Sequence, residues 1–247
     1  MQNQSKIDVV DTPTLSHAAA KPPTILPEPR KLQPLSRRDA SVARLFQERC
    51  RQLNLSTFYQ GNSQVRSLGF TSSINGEGKT FLASVTANLL ANDSSQPVTL
   101  IECNWEHPSI HEYYGIPALP GIAEWLHHEC REEDIRYQVS RNLTVIPAGN
   151  GRKDAVRLLE QIRQRGLLQV FAHKNDLLVV DLPSIATTAY GQIAASLLDS
   201  VILVVNTGVT PDGLVKEACA KLSNVPLQGV ILNQLQSKIP RWLRQIL

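Results

Sequence analysis

Ten residues, TSSINGEGKT at positions 71 to 80, carry the densest chemical signal in the chain. Gly76 and Gly78 let a backbone turn tightly with its N–H groups facing inward, and Lys79 and Thr80 follow at once. That order suits a polyphosphate. Amide donors and the positive end of a following helix cradle the anion, the lysine reaches the β and γ phosphates, and the threonine hydroxyl ligates Mg²⁺. The full pattern G-x-x-x-x-G-K-S/T is missed only at its first position, where Ser73 stands. A carboxylate should complete the set. DLLVVDLPS supplies Asp181 after an apolar run, where an aspartate is costly unless it caps a helix, pairs with a cation or serves a metal. Alone, Asp181 reads equally as a helix cap; with Lys79 and Thr80 upstream, the metal-associated reading is preferred. Asn233, closing GVILN, reads either as a donor–acceptor pair for a purine edge or as a turn-forming asparagine.

Such a loop works only between a strand and a helix, and the surrounding pattern supplies both. RSLGFTSS reads as a strand and KTFLASVTANLLAND as a helix. VTLIEC, LTVIPAG, DLLVVDL, SVILVVNTG and GVILNQ read as further strands, with helical stretches between them: GIAEWLHHECR, a long KDAVRLLEQIRQRGLLQVFAHK, TAYGQIAASLLD and PDGLVKEACAKLS. Strands this apolar are buried on both faces. Alternation with helices therefore predicts an α/β fold, doubly wound, with a mostly parallel sheet covered on both sides, over residues 39–236. Ligands of such sheets bind at the carboxyl ends of strands, where TSSINGEGKT falls. Ahead of the first strand, DASVARLFQERCRQLNL predicts a helix with Val42, Leu45 and Phe46 on one face and Leu53 continuing it.

Residues 1–38 hold six prolines and little apolar periodicity, which predicts a flexible arm. Residues 237–247 contain PRWLRQIL, a short amphipathic tail that suits packing on its own domain or contact with an anionic membrane surface. A formal net charge of +3 over 247 residues gives no argument for nucleic acid as a partner. Four scattered cysteines fit a reducing compartment, and the chain shows neither a signal-peptide start nor a spanning apolar run. The expectation is a cytoplasmic protein. Cys103, His107 and His111 fall four apart, and His127, His128 and Cys130 cluster further on, but Pro108 interrupts the first set and neither has a metal framework.

TSSINGEGKT, VTLIECNWEHPSIHEYYG, LTVIPAG, DLLVVDLPS, DSVILVVNTG and GVILNQ occur in the order and spacing of the bacterial tyrosine kinases, the P-loop kinases of capsule and exopolysaccharide synthesis. The chain resembles them over about residues 40–236. These kinases are relatives of the MinD/ParA-type ATPases, whose signature lysine is replaced here by Ile74. The family carries serine where Ser73 stands. The resemblance implies that Ser73, Asn75, Gly76, Glu77, Gly78, Lys79 and Thr80 bind ATP, that Asn233 reads the adenine, and that Thr80, Glu102 and Asp181 hold Mg²⁺. Lys79, Glu102 and Asp181 would carry the catalysis. It further implies a membrane-embedded chain-length regulator, or copolymerase, as partner at the inner membrane, with this chain peripheral to that membrane and assembled as a homo-oligomer.

Several positions depart from the family pattern. Its second acidic motif has two aspartates followed by arginines; here Glu102 and Asn104 stand for the aspartates, and Glu106 and His107 for the arginines. Asparagine keeps the shape of aspartate but cannot take a proton. No tyrosine follows Tyr190, and the family's Glu-x-x-Arg-x-x-Arg helix motif survives only in part, as Glu48 to Asn54. Three functions therefore stand: an ATP-dependent protein-tyrosine kinase of polysaccharide synthesis, a catalytically weakened nucleotide-binding switch or scaffold of the same machinery, and a MinD/ParA-like positioning ATPase, against which Ile74 counts.

Overall fold

The computed structural model describes residues 37–59, 65–166, 171 and 176–234. The expected tail at 237–247 and all but the last two residues of the expected arm lie outside them. Among the described residues, seven strands form one sheet: β1 (Ser67–Ser72), β2 (Val98–Glu102), β3 (Tyr137–Ser140), β4 (Leu143–Ile146), β5 (Leu177–Asp181), β6 (Ser200–Asn206) and β7 (Leu227–Asn233). Their spatial order is β3-β4-β2-β5-β1-β6-β7, and every pairing is parallel except β3 with β4. The expected mostly parallel, doubly wound α/β architecture is what the chain forms.

Helices α1 (Arg37–Asn54), α2 (Lys79–Asp93), α3 (Ile110–Tyr114), α4 (Ile122–Leu126), α5 (Ala155–Arg165), α6 (Gly191–Ala195) and α7 (Asp212–Lys221) surround the sheet. The near-continuous apolar strands follow from burial on both faces. In β5, Leu178 and Val180 enter a core shared with α4, α5, α6 and α7, while Leu177 and Val179 enter a second core under α1 and α2.

The sequence reading and the structure part in several places, among them the unpredicted α3 and the helix expected over TAYGQIAASLLD, which is only the short α6. α1 starts at Arg37, and Val42 and Leu45 are 63% and 60% exposed, so only the Phe46 and Leu53 part of the predicted face packs inward. The long helix expected through Lys174 stops at Arg165, before Gly166 with φ 74. The helix expected across GIAEWLHHECR is the short α4 alone. β3, a four-residue edge strand with an irregular register against β4, had no counterpart in the predicted elements.

For the site, register matters most. Glu102 at the end of β2 lies opposite Asp181 at the end of β5, which lies beside Phe70 near the end of β1. Three carboxyl ends thus converge where β1 gives way to the loop of residues 73–78.

Candidate nucleotide site

The loop from Ser73 to Gly78 leaves β1 and ends at α2, whose first residue is Lys79. Its curvature depends on left-handed backbone at Gly76 (φ 86) and Gly78 (φ 92). At Gly78 space is a second constraint, since a Cβ would fall 2.3 Å from Asn233 Nδ2. An open cleft of about 710 Å³ lies over the loop, with Asn75, Gly76, Gly78, Lys79 and Thr80 on one side and Asn104 and Tyr113 opposite. Loop backbone and the N-terminus of the fifteen-residue α2 both border that cleft.

Asp181 is buried behind the lining, where it touches Thr80 and faces Lys79. Its Oδ2 accepts a 2.8 Å hydrogen bond from Thr80 Oγ1, and its Oδ1 lies 3.9 Å from Lys79 Nζ. The carboxylate is fully buried. Burial raises its pKa, and Lys79 followed by Thr80 pulls against that shift. Asp181 Oδ1 has no hydrogen-bond partner among the described residues, nor has the buried Oδ1 of Asn104 on the facing wall. Buried acceptors are normally paired, so two orphaned oxygens beside Thr80 and Lys79 fit the donors of a hydrated cation held with a phosphate. Thr80 and Asp181 are the residues present that would hold Mg²⁺.

Glu102, expected on the metal side, gives its side chain to backbone amides. Its Oε1 accepts from the backbone N–H groups of Ser109 (2.5 Å) and Ile110 (2.9 Å), and its Oε2 from Ala148 (3.3 Å). It is fully buried and forms no part of the cleft lining. With both oxygens given to amides, it ties the segment after β2 to the segment after β4. Burial, then the neighbouring Asp181 charge, pushes its pKa up to about 7. Asn104 does reach the cleft; its Nδ2 donates to the His107 carbonyl at 3.0 Å, which turns Oδ1 away from that bond. Glu106, standing where the family has an arginine, pairs with Arg152 at 3.0 Å and is outside the cleft lining.

Glu77 and Asn233 brace the loop. The buried Glu77 carboxylate accepts from Ile74 N (2.8 Å), Asn206 N (2.9 Å) and Thr210 Oγ1, and Asn233 Nδ2 donates to the Glu77 carbonyl at 2.8 Å. Ser73 is fully buried with its hydroxyl unpartnered among the described residues. Of the residues read from sequence, Asn75, Gly76, Gly78, Lys79 and Thr80 therefore line the cleft with Asp181 beneath, while Ser73, Glu77, Glu102 and Asn233 stand behind or beside it. Sequence reading passed over Ser184, whose hydroxyl donates to Asn75 Oδ1 at 3.0 Å and also meets Thr187 Oγ1. Its place three residues after Asp181, on the chain leaving the same strand end, is the available signal. Cys103 is buried at the end of β2, and burial drives its thiol pKa far upward. His127 bonds to Asp154 at 2.6 Å, and no metal-ligating cluster occurs among the described residues.

Comparison with known proteins gives these features a family setting, although no protein-family model matches the chain. It is 29% identical over 178 residues to the succinoglycan biosynthesis transport protein ExoP of Rhizobium meliloti, covering 70% of this chain and 22% of that one. It is 26% identical over 180 residues to the tyrosine-protein kinase YwqD of Bacillus subtilis, covering 71% of this chain and 75% of the relative. The chain thus spans about a fifth of ExoP but most of YwqD. Among solved structures, the kinase domain of the Escherichia coli tyrosine kinase ETK superposes with a TM-score of 0.68 at 21% identity, covering 78% of this chain and 79% of that one. A more distant fold neighbour is cobyrinic acid a,c-diamide synthase of Mycobacterium smegmatis with bound ATP analogue and magnesium. Its TM-score is 0.55 at 15% identity, covering 70% of this chain and 77% of that one. By sequence and by fold, the chain is an α/β domain similar to the bacterial tyrosine-protein kinases.

Proposed function

We propose that this domain binds Mg·ATP and serves exopolysaccharide or capsule synthesis as a protein of the bacterial tyrosine kinase type. The single observation that carries the reading is the Lys79–Asp181–Thr80 constellation under a glycine loop at a helix N-terminus. In it, the loop amides and Lys79 bind the phosphates, and Thr80 with Asp181 holds the cation. Bound there, Mg²⁺ supplies charge neutralisation across the β and γ phosphates. Asn233, braced against Glu77, retains a carbonyl oxygen and one amide hydrogen for a purine edge. Kinship with ExoP and YwqD supports work at the polysaccharide machinery, and a membrane-embedded chain-length regulator is the proposed partner at the inner membrane. No described helix is long and apolar enough to cross a membrane, which suits a peripheral position.

A second reading has its own observation. Asn104 cannot take a proton, and Glu102 is fully committed to backbone amides, so neither position of the second acidic motif offers a free carboxylate, and the carboxylate left on that wall is the exposed Glu112. General-base help is typically worth about 10²–10⁴-fold in rate. The same chain therefore suits a nucleotide-binding switch with weak phosphoryl transfer. Calorimetry with ATP, with and without Mg²⁺, tests the shared reading: Mg²⁺-enhanced binding supports it, and no binding in the wild type sinks it. Transfer of labelled γ-phosphate to tyrosine-containing acceptors then separates the two. Turnover comparable with an active kinase domain favours the enzyme, and binding without transfer favours the switch.

A further inference from the structure

Asn75 sits in the turn of the phosphate loop, exposed and on the cleft lining, and its side chain is held from the protein side. Its Oδ1 accepts a 3.0 Å hydrogen bond from Ser184 Oγ. A primary amide carries an acceptor at one end and a donor at the other. With Oδ1 turned to Ser184, the NH₂ is the end left for the cleft, and it has no partner among the described residues.

Ser184 is fully buried, and the backbone on either side fixes its place. Thr71 Oγ1 donates to the Pro183 carbonyl at 2.7 Å, Ile185 N donates to Ser72 O at 2.8 Å, and Ala186 N donates to Ser73 O at 3.1 Å. The segment leaving β5 therefore runs beside the first residues of the phosphate loop, with the Ser184 hydroxyl against Asn75. That hydroxyl also lies 2.5 Å from Thr187 Oγ1 and 3.4 Å from Thr188 Oγ1. A hydroxyl donates once and accepts twice, so a hydrogen given to Asn75 leaves Ser184 to accept from the threonines. The chain then runs from Thr187 through Ser184 to Asn75. Reversed, Asn75 would donate to Ser184 and Ser184 to Thr187, and the Asn75 carbonyl would face the cleft. Hydrogen bonds in such a chain polarise one another in a common sense, so its direction sets which end of the amide the loop offers. An anion over the loop favours the donor end.

We infer that Ser184 is a positioning residue of the phosphate site: it holds the Asn75 amide with NH₂ toward the bound phosphates and so adds a side-chain donor to the loop backbone. The inference rests on the nucleotide reading above and deepens it, since it gives the segment after β5 a part in holding the anion. Asn75 touches the ligand, and Ser184 acts only through Asn75. Ser184→Ala removes the hydroxyl and leaves the amide free to present either end.

The experiment measures dissociation constants of Mg·ATP by calorimetry for the wild type, Asn75→Ala, Ser184→Ala and the double variant, with thermal unfolding recorded for each. Asn75 is exposed, so its truncation tests the donor without disturbing the core. Asn75→Ala should weaken binding about 10-fold and Ser184→Ala about fivefold, the scale of a hydrogen bond to a charged group gained or lost. The double variant should bind no worse than Asn75→Ala, because the two residues work as one unit. In isotope-labelled protein, the Asn75 side-chain NH₂ resonance, identified by its loss in Asn75→Ala, should shift when Mg·ATP is added to the wild type and stay nearly unmoved in Ser184→Ala. Additive losses in the double variant would overturn the coupling and leave Ser184 as a support of the fold. Wild-type affinity in Asn75→Ala, or an NH₂ resonance that ignores Mg·ATP in the wild type, would overturn the donor while sparing the phosphate site. A wild type that binds no Mg·ATP would remove the nucleotide reading and this inference with it.

Discussion

Two carboxylates stand side by side at the carboxyl ends of β5 and β2, Asp181 in register with Glu102 across one parallel ladder. Both are fully buried, and burial raises the pKa of each. Their surroundings divide them. Asp181 faces a cation and a hydroxyl and keeps one oxygen without a hydrogen bond; Glu102 gives both oxygens to backbone amides. The first arrangement leaves capacity for a ligand, and the second uses its capacity to hold two loops together. Charge at a strand end is therefore insufficient to mark a metal site. What marks it is an acceptor that the protein leaves open.

The largest effect that tests this contrast belongs to Lys79. Lys79→Ala should weaken Mg·ATP binding by about 100-fold, the scale of a lost charge-assisted contact to phosphate; a change below threefold would remove the constellation from the binding site. Next comes the wall opposite. Asn104→Asp places an ionisable oxygen at a residue of the cleft lining whose buried acceptor now has no partner among the described residues. Turnover of ATP, followed as phosphate release, should rise at least about 10-fold if a missing base limits the wild type. An unchanged rate would place the limit elsewhere.

A smaller effect sharpens the role of Glu102 through pH. Its folded-state pKa of about 7 stands above the ordinary 4.5, so the folded state holds the proton more tightly. Its contribution to stability is then present at low pH and lost as pH rises from about 4.5 to 7. Glu102→Gln should remove that slope. The melting temperature of wild type relative to the variant should decline with pH across that window, and parallel curves would contradict the assignment.

Much of this was legible beforehand for a physical reason. LLVV in DLLVVDL and VILVV in SVILVVN are unbroken apolar runs because both faces of their strands are covered, and that pattern survives without knowledge of partners. The same holds for Gly76 and Gly78, whose backbone angles exclude most other residues. β3 escaped because YQVS is short, half-exposed and set by its pairing with β4 rather than by its own pattern. Val42 and Leu45 satisfied a helical period, yet periodicity cannot say whether anything lies opposite. The surroundings of Glu102 and Glu77 were not legible for one shared reason. Sequence names the carboxylate, whereas its role depends on which backbone N–H groups the fold brings to it, and those come from Ser109, Ile110 and Ala148 in one case and Ile74 and Asn206 in the other.

The most direct test of the contrast compares Asp181→Asn with Glu102→Gln by calorimetry, titrating ATP with and without Mg²⁺. If Asp181 is the carboxylate that serves the cation, Asp181→Asn should abolish the Mg²⁺ enhancement, while Glu102→Gln should retain it within about threefold, since both Glu102 oxygens are taken by backbone amides. Loss of the enhancement in Glu102→Gln, with Asp181→Asn behaving as wild type, would contradict the account and return the metal to the end of β2.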